Sequence, residues 1–137
     1  MYYCIFFYFI IYLVTGYKPS SLEPNLSVAS FNIQIFGPSK GNKEAIMTYL
    51  SKIIVNYDIT MIQEIRDSNN KVFWDLLDLV NEIGGNNYDG LVSERLGRSS
   101  SKEQYGYIYN YHKLDLLSTY QYNDTYDHFE RPVHSVI

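Results

Sequence analysis

Cysteine is almost absent from this chain of 137 residues, which contains only Cys4. One cysteine excludes a disulfide framework within the chain and a zinc site built on several thiolates. His112 and His128 have no cluster of Cys, Asp or Glu around them at metal-ligand spacing, so we predict that both are surface or turn residues. The chain also lacks an internal repeat and any charge-rich stretch, and its length predicts one domain.

Positive charge is scarce as well. Eleven Lys and Arg face fifteen Asp and Glu, which gives a formal net charge of −4. This balance supplies no overall field that would attract the protein to nucleic acid, so any DNA contact requires a local basic patch or a bound cation. Tyrosine is abundant instead, with 15 residues, several of which alternate along the third quarter of the chain. That alternation is typical of half-exposed strands.

The first 14 residues stand apart because they are almost entirely apolar and carry no charge. They are too short to span a bilayer, which takes about 20 apolar residues. We predict a signal peptide over residues 1–16, with Val14, Thr15 and Gly16 as the cleavage context, and secretion without stable membrane association after cleavage. No Lys or Arg precedes the apolar run, and a membrane anchor is the alternative. Residues 17–25 read as an extended segment that leads into a domain over 26–137.

Hydrophobic periodicity predicts strand, helix, strand, helix and then several strands. The predicted strands are 26–33, 59–64, 88–93, 104–110 and 115–122, and the predicted helices are 44–55 and 72–83. We expect Ser39 to cap the first helix and Ile53 to lie on its apolar stripe. Trp74 and the Leu76–Leu77 pair follow helical spacing and are predicted to lie in the core. This order of elements favours helices that cover one face of a mixed sheet.

Two polar side chains stand at the ends of the first two predicted strands, Asn32 and Glu64. A spacer of one helix allows both strands to lie side by side in one sheet, so the amide and the carboxylate can meet at one edge. Mg²⁺ takes oxygen ligands and needs only one or two protein carboxylates. The sequence therefore predicts a hard-cation site at this edge.

Several short motifs, in consistent order and spacing, carry a family resemblance. They are ASFNI (29–33), IQEIRDS (62–68), SERLGR (93–98), KEQY (102–105), TYQYND (119–124) and FERP (129–132). The chain resembles the amino-terminal half of a deoxyribonuclease-I-like nuclease of the exonuclease–endonuclease–phosphatase superfamily. The resemblance implies an α/β fold, namely the amino-terminal half of a two-sheet α-β-β-α sandwich. Its sheet would be mixed and mostly antiparallel, with helices on one face.

The resemblance also implies roles for individual residues. Asn32 matches the asparagine that contacts the scissile phosphate and its metal, and Glu64 matches the glutamate that binds the cation. Glu103 matches the glutamate that orients a catalytic histidine. The expected contacts to DNA are Arg66, Arg98, Tyr105 and Arg131, and the expected cofactors are Mg²⁺ and Ca²⁺. Two DNA contacts of the family are replaced here, by Gln34 and Ser101.

The function implied is divalent-metal-dependent hydrolysis of DNA phosphodiester bonds by an endonuclease. Family domains are about twice as long as this chain, so we expect the second catalytic half to be missing and the chain to be inactive alone. His134 does not occupy the position of a family histidine. The inward side chains of the strands between 104 and 122 are then expected to be exposed.

Three questions stay open at this point. One alternative is a sphingomyelinase-like phosphodiesterase of the same superfamily, and another is a non-catalytic fragment or binding module. Secretion is the expected destination, with the nucleus or nuclear envelope as its alternative. The sequence does not indicate an oligomeric state.

Overall fold

The computed structural model describes residues 25–126 and 128–137. The predicted signal peptide and residues 17–24 of the extended segment lie outside the described residues. The elements along the chain are β1 (Val28–Phe36), α1 (Pro38–Gly41), α2 (Glu44–Ile54), β2 (Ile59–Ile65), α3 (Lys71–Gly84), β3 (Tyr88–Val92), β4 (Gln104–Asn110), β5 (Thr119–Gln121) and β6 (His134–Val136).

Four strands form the main sheet in the order β1-β2-β4-β3. β1 and β2 are parallel and are connected through α1 and α2, whereas β2 with β4 and β3 with β4 are antiparallel. β5 and β6 form a separate antiparallel pair. The sheet is therefore mixed and mostly antiparallel, and the predicted fold class is confirmed.

The two long helices pack on one face of the main sheet. Each is amphipathic, since apolar residues recur at the spacing of one helical face. The buried apolar residues of the helices are Met47, Leu50 and Ile54 in α2 and Val72, Phe73, Leu76, Leu77 and Val80 in α3. They meet sheet residues such as Ile62 and Ile108, both fully buried. Each such side chain contributes about 1.5–3 kcal/mol on burial. Within the described residues, no helix has the length and apolar character needed to traverse a bilayer.

Three local expectations for the helices were wrong. Ser39 lies inside α1, whose N-cap residue is Gly37, and it caps no helix. Ile53 is 44% exposed and Trp74 is 42% exposed. Both lie outside the buried stripe of their helix, which consists of positions 47, 50, 51 and 54 in α2 and positions 72, 73, 76, 77 and 80 in α3. The Leu76–Leu77 prediction is confirmed, as both residues are buried.

The sheet face opposite the helices is not bare, contrary to the expectation. Tyr107 and Tyr109 of β4 are buried, and the Tyr107 hydroxyl donates a hydrogen bond of 2.8 Å to the carbonyl of His134. The chain after β4 therefore folds back over the tyrosines. Leu117 and Tyr120 of this covering segment are themselves exposed. The predicted strand 115–122 is reduced to Thr119–Gln121.

Candidate metal and phosphate-binding site

Both strands that carry the predicted metal ligands become irregular where those ligands stand. The β1–β2 register is regular up to Asn32 opposite Gln63 and resumes at Phe36 opposite Ile65. Residues 33–35, called here the β1 bulge, fall in this interval. Gln34, Ile35 and Glu64 have positive φ angles of 43°, 56° and 60°. Such conformations cost of order 1–3 kcal/mol each and persist only where surrounding contacts compensate. Bulges of this kind re-aim side chains at sheet ends.

The bulges bring Asn32 and Glu64 into direct contact. The Asn32 side-chain amide donates a hydrogen bond of 2.8 Å to Glu64 Oε1. The main-chain N–H of Ile35 donates to Glu64 Oε2 at 3.0 Å, and that of Gln34 donates to Asn32 Oδ1 at 2.8 Å. The predicted approach of the amide and the carboxylate at one end of the sheet is confirmed.

A lysine that the motifs did not single out completes the β1 bulge. Lys40 of α1 donates hydrogen bonds from Nζ to the carbonyl of Ile33, at 2.6 Å, and to the carbonyl of Gln34. Lys40 belongs to none of the sequence motifs, so only the folded chain shows that it contacts the bulge. The bulge is thus closed by three side chains, those of Asn32, Glu64 and Lys40.

The Glu64 carboxylate is ionised at neutral pH. Burial is the largest single influence and acts to raise its pKa, but the hydrogen bonds from Asn32 and the Ile35 amide, together with the charges of Arg66 and Arg131, outweigh it. The pKa of Glu64 therefore lies below its ordinary value. A carboxylate held in its charged form is the state that a divalent cation requires.

The donor set fits a hydrated Mg²⁺ with few protein ligands. An ionised carboxylate offers about four lone-pair sites, and Glu64 uses two of them in the hydrogen bonds from Asn32 and Ile35. Mg²⁺ usually keeps several waters and takes one or two protein carboxylates. In residues 25–126 and 128–137, no group of three or more His, Cys, Asp or Glu side chains could form a fuller cage.

A second cluster is centred on Glu103, which is 6% exposed. Arg66, directly after β2, donates from Nε to Glu103 Oε1 at 2.8 Å and also from Nη2 to the same oxygen. Arg131 Nε lies 2.5 Å from Glu103 Oε2 as an ion pair, but outside hydrogen-bond geometry. Two guanidinium groups on one carboxylate leave a net positive charge. Each has five N–H donors, so donors remain for an anion.

The remaining predicted DNA contacts surround this cluster. Backbone hydrogen bonds between Leu96 and Glu103 close the loop that carries Arg98. Arg98 Nε lies 3.8 Å from Glu130 Oε2, so the loop approaches the segment of Arg131. Tyr105 is half-buried, and burial raises its pKa although the nearby Arg131 charge opposes the rise. The four predicted contacts therefore lie on neighbouring segments of the fold.

Within the described part of the chain, the hydrogen bonds and ion pairs of the Glu103 side chain involve arginines and no histidine. His134 lies in β6 with its ring 5.6 Å from that of Tyr107. Its Nδ1 is buried and has no hydrogen-bond partner in the described residues. The role of Glu103 in orienting a histidine stays a prediction.

The mixed sheet and the helices on one face match the fold that the resemblance to deoxyribonuclease-I-like nucleases implied. Comparison with known proteins gives relatives of the same description. The chain is 42% identical to deoxyribonuclease-1 of Bos taurus over 100 residues, which are 73% of this chain. It is 42% identical to that of Mus musculus over 112 residues and 38% identical to that of Homo sapiens over 100 residues.

These matches confirm the predicted resemblance. The chain spans 36% of the length of the bovine and human relatives and 39% of the mouse relative. No family model matches the chain.

Proposed function

We propose that this chain supplies the cation-binding and phosphate-binding part of a deoxyribonuclease that hydrolyses DNA phosphodiester bonds. The observation that carries the proposal is the Asn32–Glu64 pair beside the Arg66–Glu103–Arg131 cluster. A phosphodiester would be bound by a cation on the Glu64 carboxylate and by the guanidinium hydrogen-bond donors of Arg66 and Arg131, which lie near the same strand ends. The names of the relatives favour DNA over the sphingomyelinase-like alternative.

Each residue has one proposed task. Glu64 would hold a divalent cation, Mg²⁺ with Ca²⁺ in support, and Asn32 would contact the scissile phosphate and the cation. The cation, when bound, supplies charge stabilisation for the phosphate oxygens as negative charge develops. Arg66 and Arg131 would grip the phosphate backbone, which gives little sequence preference because phosphates carry no base information.

Glu103 is proposed to position its neighbours rather than to touch the substrate. Its buried carboxylate holds the Arg66 side chain through hydrogen bonds and the Arg131 side chain through an ion pair. By resemblance it would also orient a histidine that accepts the proton of the attacking water. That step needs a histidine that the described contacts of Glu103 do not include.

Cation binding tests the first part of the proposal. Mn²⁺ serves as the probe in a ¹⁵N NMR titration of the whole chain, since its unpaired electrons broaden nearby resonances. We expect broadening centred on the Asn32 side-chain amide, lost in Glu64→Gln and retained in the matched control Glu82→Gln, an exposed glutamate on α3. Equal Mn²⁺ binding by Glu64→Gln and the unsubstituted chain would refute the cation site.

DNA binding tests the second part. Arg98 and Arg95 both lie on the connection between β3 and β4 and both are exposed, but only Arg98 is a predicted contact. In fluorescence anisotropy with a short duplex, Arg98→Ala should weaken binding at all sequences and reduce the slope of log affinity against log salt by about 1. Arg95→Ala is the control. Equal effects of the two substitutions would count against a specific phosphate contact at Arg98.

We also propose export through the secretory pathway, on the apolar character of residues 1–14, with the nucleus or nuclear envelope as the alternative. A carboxy-terminal tag on the whole chain, followed in medium and in cell fractions, distinguishes the two. Tagged protein confined to nuclei would refute secretion.

A further inference from the structure

We infer that Lys40 is a positioning residue that holds the β1 bulge in the shape needed by the Asn32–Glu64 cation site. This inference rests on the proposed function for the cation itself. The effect of Lys40 on the conformation of the bulge does not depend on any cation.

The reason begins with the backbone groups of residues 33–35. They fall in the interval where the β1–β2 register is interrupted, and among the described residues β1 is an edge strand of the main sheet. Exposed carbonyls on such an edge depend on side chains or water for hydrogen bonds. Lys40 Nζ accounts for two of them, the carbonyls of Ile33 and Gln34.

The same segment supplies the N–H groups that organise the site. Gln34 N–H binds Asn32 Oδ1, and Ile35 N–H binds Glu64 Oε2. Both residues have positive φ angles, and Ile35 is β-branched, a type for which this conformation is an outlier. If no contacts compensated for the cost of these conformations, residues 33–35 would relax toward an extended strand. In an extended strand, successive N–H groups point to opposite sides and cannot both face the site.

Lys40 is itself placed by a tight turn. Gly37 follows β1 and sits so close to the end of β2 that a Cβ there would lie 2.7 Å from the carbonyl oxygen of Arg66. Pro38 then begins α1, where its fixed φ suits the first helical position. This turn returns the chain over the bulge and brings the ammonium group to the two carbonyls. The connection from β1 to α1 therefore has a role in the site.

The test compares Lys40→Met, which keeps most of the aliphatic stem but cannot donate, with Lys40→Arg, which can. Lys43→Met, an exposed lysine three residues later, is the control for lost charge. Residues that support metal ligands typically change affinity 10–100-fold, so Lys40→Met should weaken Mn²⁺ binding about tenfold or more. Lys40→Arg should restore most of the affinity and Lys43→Met should change little.

A second readout does not involve a cation. Hydrogen exchange of the Ile35 amide should accelerate in Lys40→Met and stay slow in Lys43→Met, with global unfolding measured separately by circular dichroism. If Lys40→Met does not fold, the contact can be tested in the unsubstituted chain by ammonium proton exchange. There, the Lys40 ammonium protons should exchange with water more slowly than those of Lys43.

The outcomes separate the two proposals. In one outcome, Lys40→Met changes neither the Mn²⁺ affinity nor the exchange of the Ile35 amide, while Glu64→Gln loses Mn²⁺ binding. That result would overturn the role of Lys40 but would not refute the cation site. A second outcome is that Lys40→Met accelerates exchange of the Ile35 amide but the unsubstituted chain binds no Mn²⁺. That result would confirm that Lys40 stabilises the bulge and would refute the cation site. Lys40 ammonium protons that exchange as fast as those of Lys43 would overturn the inference directly.

Discussion

Asp58 joins three strands and should contribute a pH-dependent part of the stability. Its Oδ2 accepts hydrogen bonds of 2.8 Å from both the N–H and the hydroxyl of Ser27, ahead of β1. Its Oδ1 accepts a hydrogen bond of 2.6 Å from Lys113, beyond β4. The carboxyl group is buried at the start of β2, so one side chain ties the ends of the parallel and antiparallel pairs together.

These contacts set the magnitude. The hydrogen bond from Lys113, followed by those from Ser27, lowers the pKa of Asp58 from 3.8 to about 2, although burial opposes the change. At about 1.4 kcal/mol for each pKa unit, this difference corresponds to about 2–3 kcal/mol of stability. Because the folded-state pKa is the lower one, the contribution is complete above pH 3.8 and is lost as the pH falls toward 2.

Urea denaturation of the whole chain at several pH values measures this contribution. Asp58→Asn should lose about 2–3 kcal/mol at pH 7, and the difference from the unsubstituted chain should shrink as the pH falls below 3.8. Asp75→Asn is the matched control. Its partner Lys71 lies one helical turn away and both side chains are substantially exposed, so the expected loss is about 0.5 kcal/mol or less. Equal losses at pH 7 for the two substitutions, or a loss in Asp58→Asn that does not depend on pH, would refute the reasoning.

Three further predictions concern the ends of the fold and its chemistry. Gly37→Ala should cost about 1–3 kcal/mol in urea denaturation, because the added Cβ meets the Arg66 carbonyl oxygen, while exposed Ser39→Ala should cost little. Burial lowers the pKa of His134, so the unfolded chain takes up a proton first and stability should decrease as the pH falls below 6.5. His134→Gln should remove that decrease, and an unchanged pH profile would contradict the assignment. The chain alone should not nick plasmid DNA with Mg²⁺ and Ca²⁺, since no histidine contacts Glu103 in the described residues. Nicking that is lost in Glu64→Gln would overturn this expectation.

Local patterns determined the elements of the fold. The apolar spacing of α3 and the alternating tyrosines of β4 predicted both elements, because side-chain periodicity follows directly from helix and strand geometry. The order strand, helix, strand also predicted that Asn32 and Glu64 would meet, since short right-handed connections leave little freedom in where parallel strands end. The motifs around these two residues carried the family resemblance without help from the structure.

The sequence did not determine how the strand ends are shaped. The left-handed conformations of Ile35 and Glu64 oppose local preference, and they persist because contacts made across 29 or more residues compensate for their cost. No periodicity encodes a lysine reaching back to two carbonyls, so Lys40 was missed.

Long-range packing also decided which charges and rings are buried. Arg66 and Glu103 are 37 residues apart, and their pairing depends on the register of β2 against β4 rather than on either motif. Tyr107 is buried, with its pKa raised to about 12, because β6 folds back over β4. Its alternating neighbours predicted a strand, but a period of two residues does not say what covers each face. The sequence by itself thus determined the elements and the candidate ligands, whereas the tertiary structure decided their surroundings through contacts between distant segments.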